Sequence, residues 1–130
     1  GLDGTLWHVP NGEVRRAGNK SQNWARALLD IAVPYDADLE VVSTVIRGAA
    51  EAVWKGSLSD QILEEPELWG VESFGPDAVI MRLVMKTVAG SQWEVARAFR
   101  AELKQAFDAA GIEIPFPQRT VWLKGPSSPQ

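Results

Sequence analysis

Hydrophobic and polar positions along the chain change period several times, and each change marks an element. Residues 27–33 alternate, placing Leu29, Ile31 and Val33 on one face and Asp30 and Ala32 on the other, which predicts a strand ended by Pro34. From 37 to 54 the apolar residues Leu39, Val42, Val45, Ile46, Ala49 and Val53 fall at helical spacing. Asp36 is expected to cap this helix, with Asp38 and Glu40 in its first turn. The stretch 55–67, with Gly56, several acids and Pro66, reads as a loop anchored by Ile62 and Leu63. Residues 68–74 and 78–88, joined by Gly75-Pro76-Asp77, predict a hairpin with Val79, Met81, Leu83 and Met85 on its buried face. Ser91-Gln92-Trp93-Glu94 has the spacing of a capping box, and Ala96, Phe99, Leu103, Phe107 and Ala110 form the stripe of a second helix that ends at Gly111. Ile112-Glu113-Ile114 is expected as a short strand, left at Pro115-Phe116-Pro117 because proline cannot donate to a ladder.

The order β-α-β-β-α-β over 27–114 is the ferredoxin-like pattern, an α+β sandwich with two helices on one sheet face. Leu29, Ile31, Val45, Met81, Leu83, Phe99, Leu103 and Phe107 are its expected core. Two strands fall outside this unit: Thr5 to Val9, running into the Pro10-Asn11-Gly12 turn, and Arg119 to Lys124. Neither has an evident partner in the sequence. The expected division is 1–23 as the end of an upstream β-domain and a connector, 24–118 as the ferredoxin-like domain, 119–125 as a separate strand, and 126–130 as a disordered Pro/Ser tail. The chain opens on Gly1-Leu2-Asp3-Gly4, which suggests a piece of something longer.

Composition narrows the chemistry. With 130 residues, 45% hydrophobic and 23% charged, the chain suits one globular domain. It has no cysteine and one histidine, His8, so disulfides, Cys-based zinc sites and a multi-His metal site within one chain are excluded. A net charge of -4 is the wrong sign for phosphate-driven binding, and nucleic acid is not expected as a partner. The longest apolar run, Ala78 to Met81, is four residues, far short of the roughly 20 a spanning helix needs.

Candidate chemistry is sparse. Asp36-Ala37-Asp38-Leu39-Glu40 opens like a calcium loop, but Val41 and Arg47 stand where Gly and Glu are required. Glu64, Glu65 and Glu67 read as solvated charges, and Asn19-Lys20-Ser21 is a sequon without a secretory context. Arg15, Arg16, Lys20 and Arg26 around Trp24 form a basic connector able to meet anionic headgroups or a neighbouring subunit's acids. Six tryptophans are many for this length, and Trp7, Trp54 and Trp122 are candidates for subunit contacts. No nucleophile-base pair, cofactor loop or metal cluster is found, so no catalytic, cofactor or metal residue is assigned.

Three motifs in order carry a family resemblance: Trp7-His8-Val9-Pro10-Asn11-Gly12-Glu13-Val14, then Ala32-Val33-Pro34-Tyr35-Asp36, then Phe107 through Gly111 to Ile114-Pro115-Phe116-Pro117-Gln118. Together they resemble the cytoplasmic region of the small-conductance mechanosensitive channel (MscS) family of bacteria. The resemblance implies a cell-membrane protein with spanning helices upstream of this region, seven identical subunits around a hollow vestibule, and release of osmolytes under membrane tension. It also implies that Arg119 to Lys124 enters a small parallel barrel between subunits. Pro10, Asn11, Gly12, Tyr35, Asp36, Gly111, Pro115, Phe116, Pro117, Val121, Trp122 and Leu123 become the motif and subunit-contact candidates. Two alternatives stand beside it: a free-standing ferredoxin-like module binding a small ligand, and a small ferredoxin-like hydrolase. The hydrolase would need an anion-cradling loop that Val33-Pro34-Tyr35-Asp36 does not offer.

Overall fold

A computed structural model describes residues 23–113 and 119–125. It contains β1 (Trp24–Pro34), α1 (Leu39–Trp54), a 3-10 turn (Ser59–Gln61), β2 (Glu67–Phe74), β3 (Ala78–Val88), α2 (Gln92–Ala110) and β4 (Arg119–Gly125). The four strands form one antiparallel sheet in the order β2-β3-β1-β4. This is the ferredoxin-like arrangement, in which each helix carries the chain past one strand before it rejoins the sheet.

Central placement explains β1. It pairs with β3 on one side, Leu29 opposite Leu83, and with β4 on the other, Leu28 opposite Val121. With a strand on each side, residues 27–33 are all buried, including Asp30 and Ala32 on the face opposite Leu29, Ile31 and Val33. The helix-covered face joins Leu29, Ile31 and Val33 to Met81, Leu83 and Met85, beneath Val42, Ile46 and Val53 of α1 and Phe99, Leu103 and Phe107 of α2. Seven of the eight expected core residues are buried, while Val45 packs at the cluster's margin.

The structure corrects the sequence reading at four places. Asp38, not Asp36, caps α1, its Oδ1 accepting from the N–H of Glu40 at 2.9 Å. Two residues are needed to turn the chain after Pro34, and the Ala37 N–H spends them in a turn closing on the Pro34 carbonyl. Ser91 stands at the N-cap of α2 with helical backbone angles and makes no side-chain cap bond, so there is no capping box. Instead the Gln92 Oε1 accepts from the Gly90 N–H at 2.6 Å. Ile112 and Glu113 are not a strand: the Ile112 N–H donates to the Phe107 carbonyl at 2.9 Å, in the motif that ends α2, with Gly111 left-handed at φ 74°.

The fourth correction concerns the sheet's last strand. Arg119–Gly125 is not without a partner in the chain but completes the sheet beside β1, so the domain extends from Trp24 to Gly125. Local periodicity gives an extended segment and is silent on which edge it joins. A closed barrel built from copies of this strand needs both of its edges, and one is occupied by β1. The 55–67 loop also has more order than its composition suggests. Buried Ile62 bridges to Thr87, and the Leu63 N–H donates to the Lys86 carbonyl at 2.8 Å.

Candidate functional site

The motif residues are dispersed, and each has a local structural task. At the corner between β1 and α1, exposed Tyr35 reaches across the domain and its hydroxyl donates to the Gly75 carbonyl. That bond joins the corner to the β2–β3 turn, itself closed by the Gly75 N–H on the Ala78 carbonyl at 2.8 Å. Asp36 is exposed beside it. Gly111 ends α2 at the opposite end of the sequence unit. On β4, Trp122 turns toward α2 and its ring centroid lies 5.4 Å from that of Trp93, whereas Val121 and Leu123 alternate to the other sheet face. Pro10, Asn11, Gly12, Pro115, Phe116 and Pro117 lie outside the described residues, as do Trp7, His8, Arg15, Arg16 and Lys20. Trp54 packs against the core's margin, with Lys55 above its ring.

The sequence reading missed the most constrained polar group in the domain, which lies on the sheet face away from the helices. Asp30 and Arg82 are directly opposite in the β1–β3 register. The guanidinium clasps the carboxylate with two bonds, Nε to Oδ1 at 2.7 Å and the terminal nitrogen to Oδ2 at 3.2 Å. Its other arm lies 3.4 Å from Oε1 of Glu72 on β2. The side chains of Asp30 and Arg82 retain only 8% and 11% exposure, so this charge cluster is largely withdrawn from water. The hydrogen bond to Asp30 holds the Arg82 pKa above its usual value, with burial opposing it and the two carboxylates adding attraction. A lone aspartate in an apolar strand and a lone arginine in the next one were the available signal.

Further along the same face, Trp24 sits between two cations. The Arg26 guanidinium lies 5.1 Å from the ring centroid and the Lys86 ammonium 4.9 Å, and Lys86 also pairs with Glu64 at 3.2 Å. Gly125 is buried against this ring: a Cβ there would come within 2.7 Å of it. Among the described residues no group of three or more His, Cys, Asp or Glu is placed to hold a metal, and no helix is long and apolar enough to cross a membrane. The Asp30–Arg82–Glu72 cluster joins three strands, and the Lys86–Glu64 pair ties the loop before β2 to β3.

The class set by this topology is the ferredoxin-like α+β sandwich, and it occurs in solved proteins of different kinds. A putative antibiotic biosynthesis monooxygenase from Nitrosomonas europaea superposes with a TM-score of 0.50 at 13% identity, over 82% of this chain and 94% of that one, a likeness of fold alone. The crystal structure of Helicobacter pylori MscS in its closed state superposes with a TM-score of 0.61 at 22% identity, over 75% of this chain and 37% of that one. Residues 27–114 match the family described as "Mechanosensitive ion channel MscS, C-terminal", and the chain belongs to it. A small-conductance mechanosensitive channel from Caldanaerobacter subterraneus is 28% identical over 123 residues, covering 95% of this chain and 43% of that protein. The chain thus spans less than half the length of the curated relative it matches.

Proposed function

We propose that this chain is part of the cytoplasmic vestibule wall of a tension-gated channel in the cell membrane, a non-enzymatic support and assembly region through which ions and osmolytes leave. The observation that carries the reading is the family match across residues 27–114, which takes in β1, α1, β2, β3 and α2. Relatives in this family work as oligomers, and the resemblance at the three motifs supports seven copies, with membrane segments supplied outside this sequence. Pro10, Asn11 and Gly12 would then join the vestibule wall to the part of the protein nearer the membrane, and Pro115, Phe116 and Pro117 would carry the chain from α2 back to β4 at the edge of the sheet. The buried Asp30–Arg82–Glu72 cluster suits a wall, since it braces three strands against one another. A free-standing ligand-binding module is the less favoured reading, because the family match is to a channel.

The test uses the complete coding sequence that contains this chain, expressed in a bacterium stripped of its own mechanosensitive channels. Survival of sudden dilution and a tension-activated conductance in membrane patches are expected. Folded protein at the membrane with neither property would overturn the proposal.

A further inference from the structure

We propose that Arg26 and Lys86, steadied by the ring of Trp24, form a binding site for a phosphate group on the sheet face away from the helices. The site is read from the sheet itself and goes beyond the channel reading, so neither depends on the other.

The rungs of the β1–β3 ladder on this face differ in kind. In order they are Asp30 opposite Arg82, Leu28 opposite Val84, Arg26 opposite Lys86 and Trp24 opposite Val88, each two residues on from the last and so on the same face. The first is an ion pair held by two bonds. The third sets two cations directly across from each other, an arrangement that cross-strand pairing disfavours. Asp30 does not serve both rungs. Four residues of strand separate it from Arg26 by about 13 Å, more than the Debye length of about 8 Å at physiological salt, and its carboxylate is already clasped by Arg82. On its other side Arg26 faces Leu123 of β4, which carries no charge.

Compensation from outside the two strands is partial. Glu64 Oε2 lies 3.2 Å from the Lys86 ammonium, but that glutamate side chain is 51% exposed and water screens the pair. Among the described residues no carboxylate lies within ion-pair distance of Arg26. Its guanidinium instead rests 5.1 Å from the Trp24 ring centroid, with the Lys86 ammonium 4.9 Å from the same point. An aromatic face attracts cations without neutralising them. The ring therefore holds two positive groups in place, and Arg26, Lys86 and Glu64 together keep one net positive charge.

The surroundings favour an anion there. Leu28 and Val84 of the next rung are each 5% exposed, a floor of low polarity beside which charges attract more strongly than in open water. Gly125, packed against the Trp24 ring, leaves the ring no room to swing that way. The chemistry of the two cations then selects the ligand. A planar guanidinium fork takes two oxygens at once, and an ammonium acts as a point charge. A carboxylate has only two oxygens, which the fork alone occupies, whereas a phosphate keeps a third for Lys86.

The indole N–H signal of Trp24, identified by its loss in Trp24→Phe, is followed by NMR while inorganic phosphate is titrated into the 130-residue chain, with chloride withdrawn to hold ionic strength constant. A saturating shift with a Kd of about 1 mM or tighter is expected. Arg26→Gln should weaken binding about tenfold or more. Glu64→Gln, which releases the Lys86 ammonium from its competitor, should tighten it about two- to fivefold. Arg97→Gln, at an exposed position on α2, should change nothing. A shift that never saturates, affinity unchanged in Arg26→Gln, or no tightening in Glu64→Gln would each overturn the proposal. The last still decides if Arg26→Gln does not fold. Sedimentation with vesicles of phosphatidic acid in phosphatidylcholine, compared with phosphatidylcholine alone, separates the sources. Pelleting that is lost in Arg26→Gln makes the ligand a lipid phosphomonoester, and its absence makes it a soluble phosphate; both uphold the site. Phosphate binding without any tension-activated conductance would sink the channel reading and leave the site standing.

Discussion

Removing Arg82 from its clasp on Asp30 should be among the most damaging single changes in the sheet. Arg82→Met keeps an unbranched stem of about the same length as the arginine's, with its packing along the strand, while deleting the guanidinium. Asp30, with 8% of its side chain exposed, then loses both bonds of the clasp, at 2.7 and 3.2 Å. A hydrogen bond to a charged group contributes about 1.5–3 kcal/mol, and removing one partner of a buried ion pair costs about 3–5 kcal/mol. Glu72 loses its cation as well, but at 34% exposure water screens it and it adds little. We therefore expect a loss of about 3–4 kcal/mol, or some 12–32 °C in melting temperature for a domain of this size. Asp30→Leu should cost a similar amount. The double change Asp30→Leu with Arg82→Met should cost well below the sum, because no buried charge is left without its counterion in the β1–β3 pair. Urea melts of the four proteins give the coupling energy. A single-variant loss under about 1 kcal/mol, or strict additivity, would refute the idea that this cluster braces the sheet.

Three further outcomes follow from particular contacts. Phe99→Ala, at a fully buried position of α2, should destabilise by about 3–5 kcal/mol in the same denaturant melts. Asp38→Ala should cost about 1 kcal/mol and Asp36→Ala almost nothing, a difference readable in thermal melts that tests which aspartate caps α1. Gly125→Val would drive a side chain into the Trp24 ring, so it should loosen the end of β4, seen as faster proteolysis near the C-terminus with the helical circular dichroism unchanged.

Elements whose signal is local were readable in the sequence, and those whose signal is a distant partner were not. The hairpin of β2 and β3 and the stripes of α1 and α2 depend on neighbours within a few residues, and they stand where the pattern puts them. β4 is different. Its pairing with β1 joins residues some ninety positions apart, such as Asp30 and Arg119, and nothing in 119–125 says which edge it will meet. The caps failed for another reason. Asp36, Asp38 and Ser91 are all acceptable cap residues by type, and the choice among them depends on how many residues the preceding turn consumes. As for function, the alternation tells which sheet face Asp30 takes, but the clasp depends on Arg82, 52 positions away on β3, and local periodicity does not carry that pairing. The resemblance at the three motifs reached the family because it depends on residue identity and not on where the strands pair.

The position of β4 also sets the order in which the sheet comes apart. Within the sheet it pairs with one strand only, and its attachment closes the longest loop in the domain, so it belongs to the low-stability end of the native ensemble. The amides that β1 points toward β4 should therefore exchange with solvent by local detachment, at rates that ignore the stability of the rest. Those that the same strand points toward β3 should wait for global unfolding. Alternate residues along a single strand would then report two separate free energies, one for a latch and one for the wall that it closes.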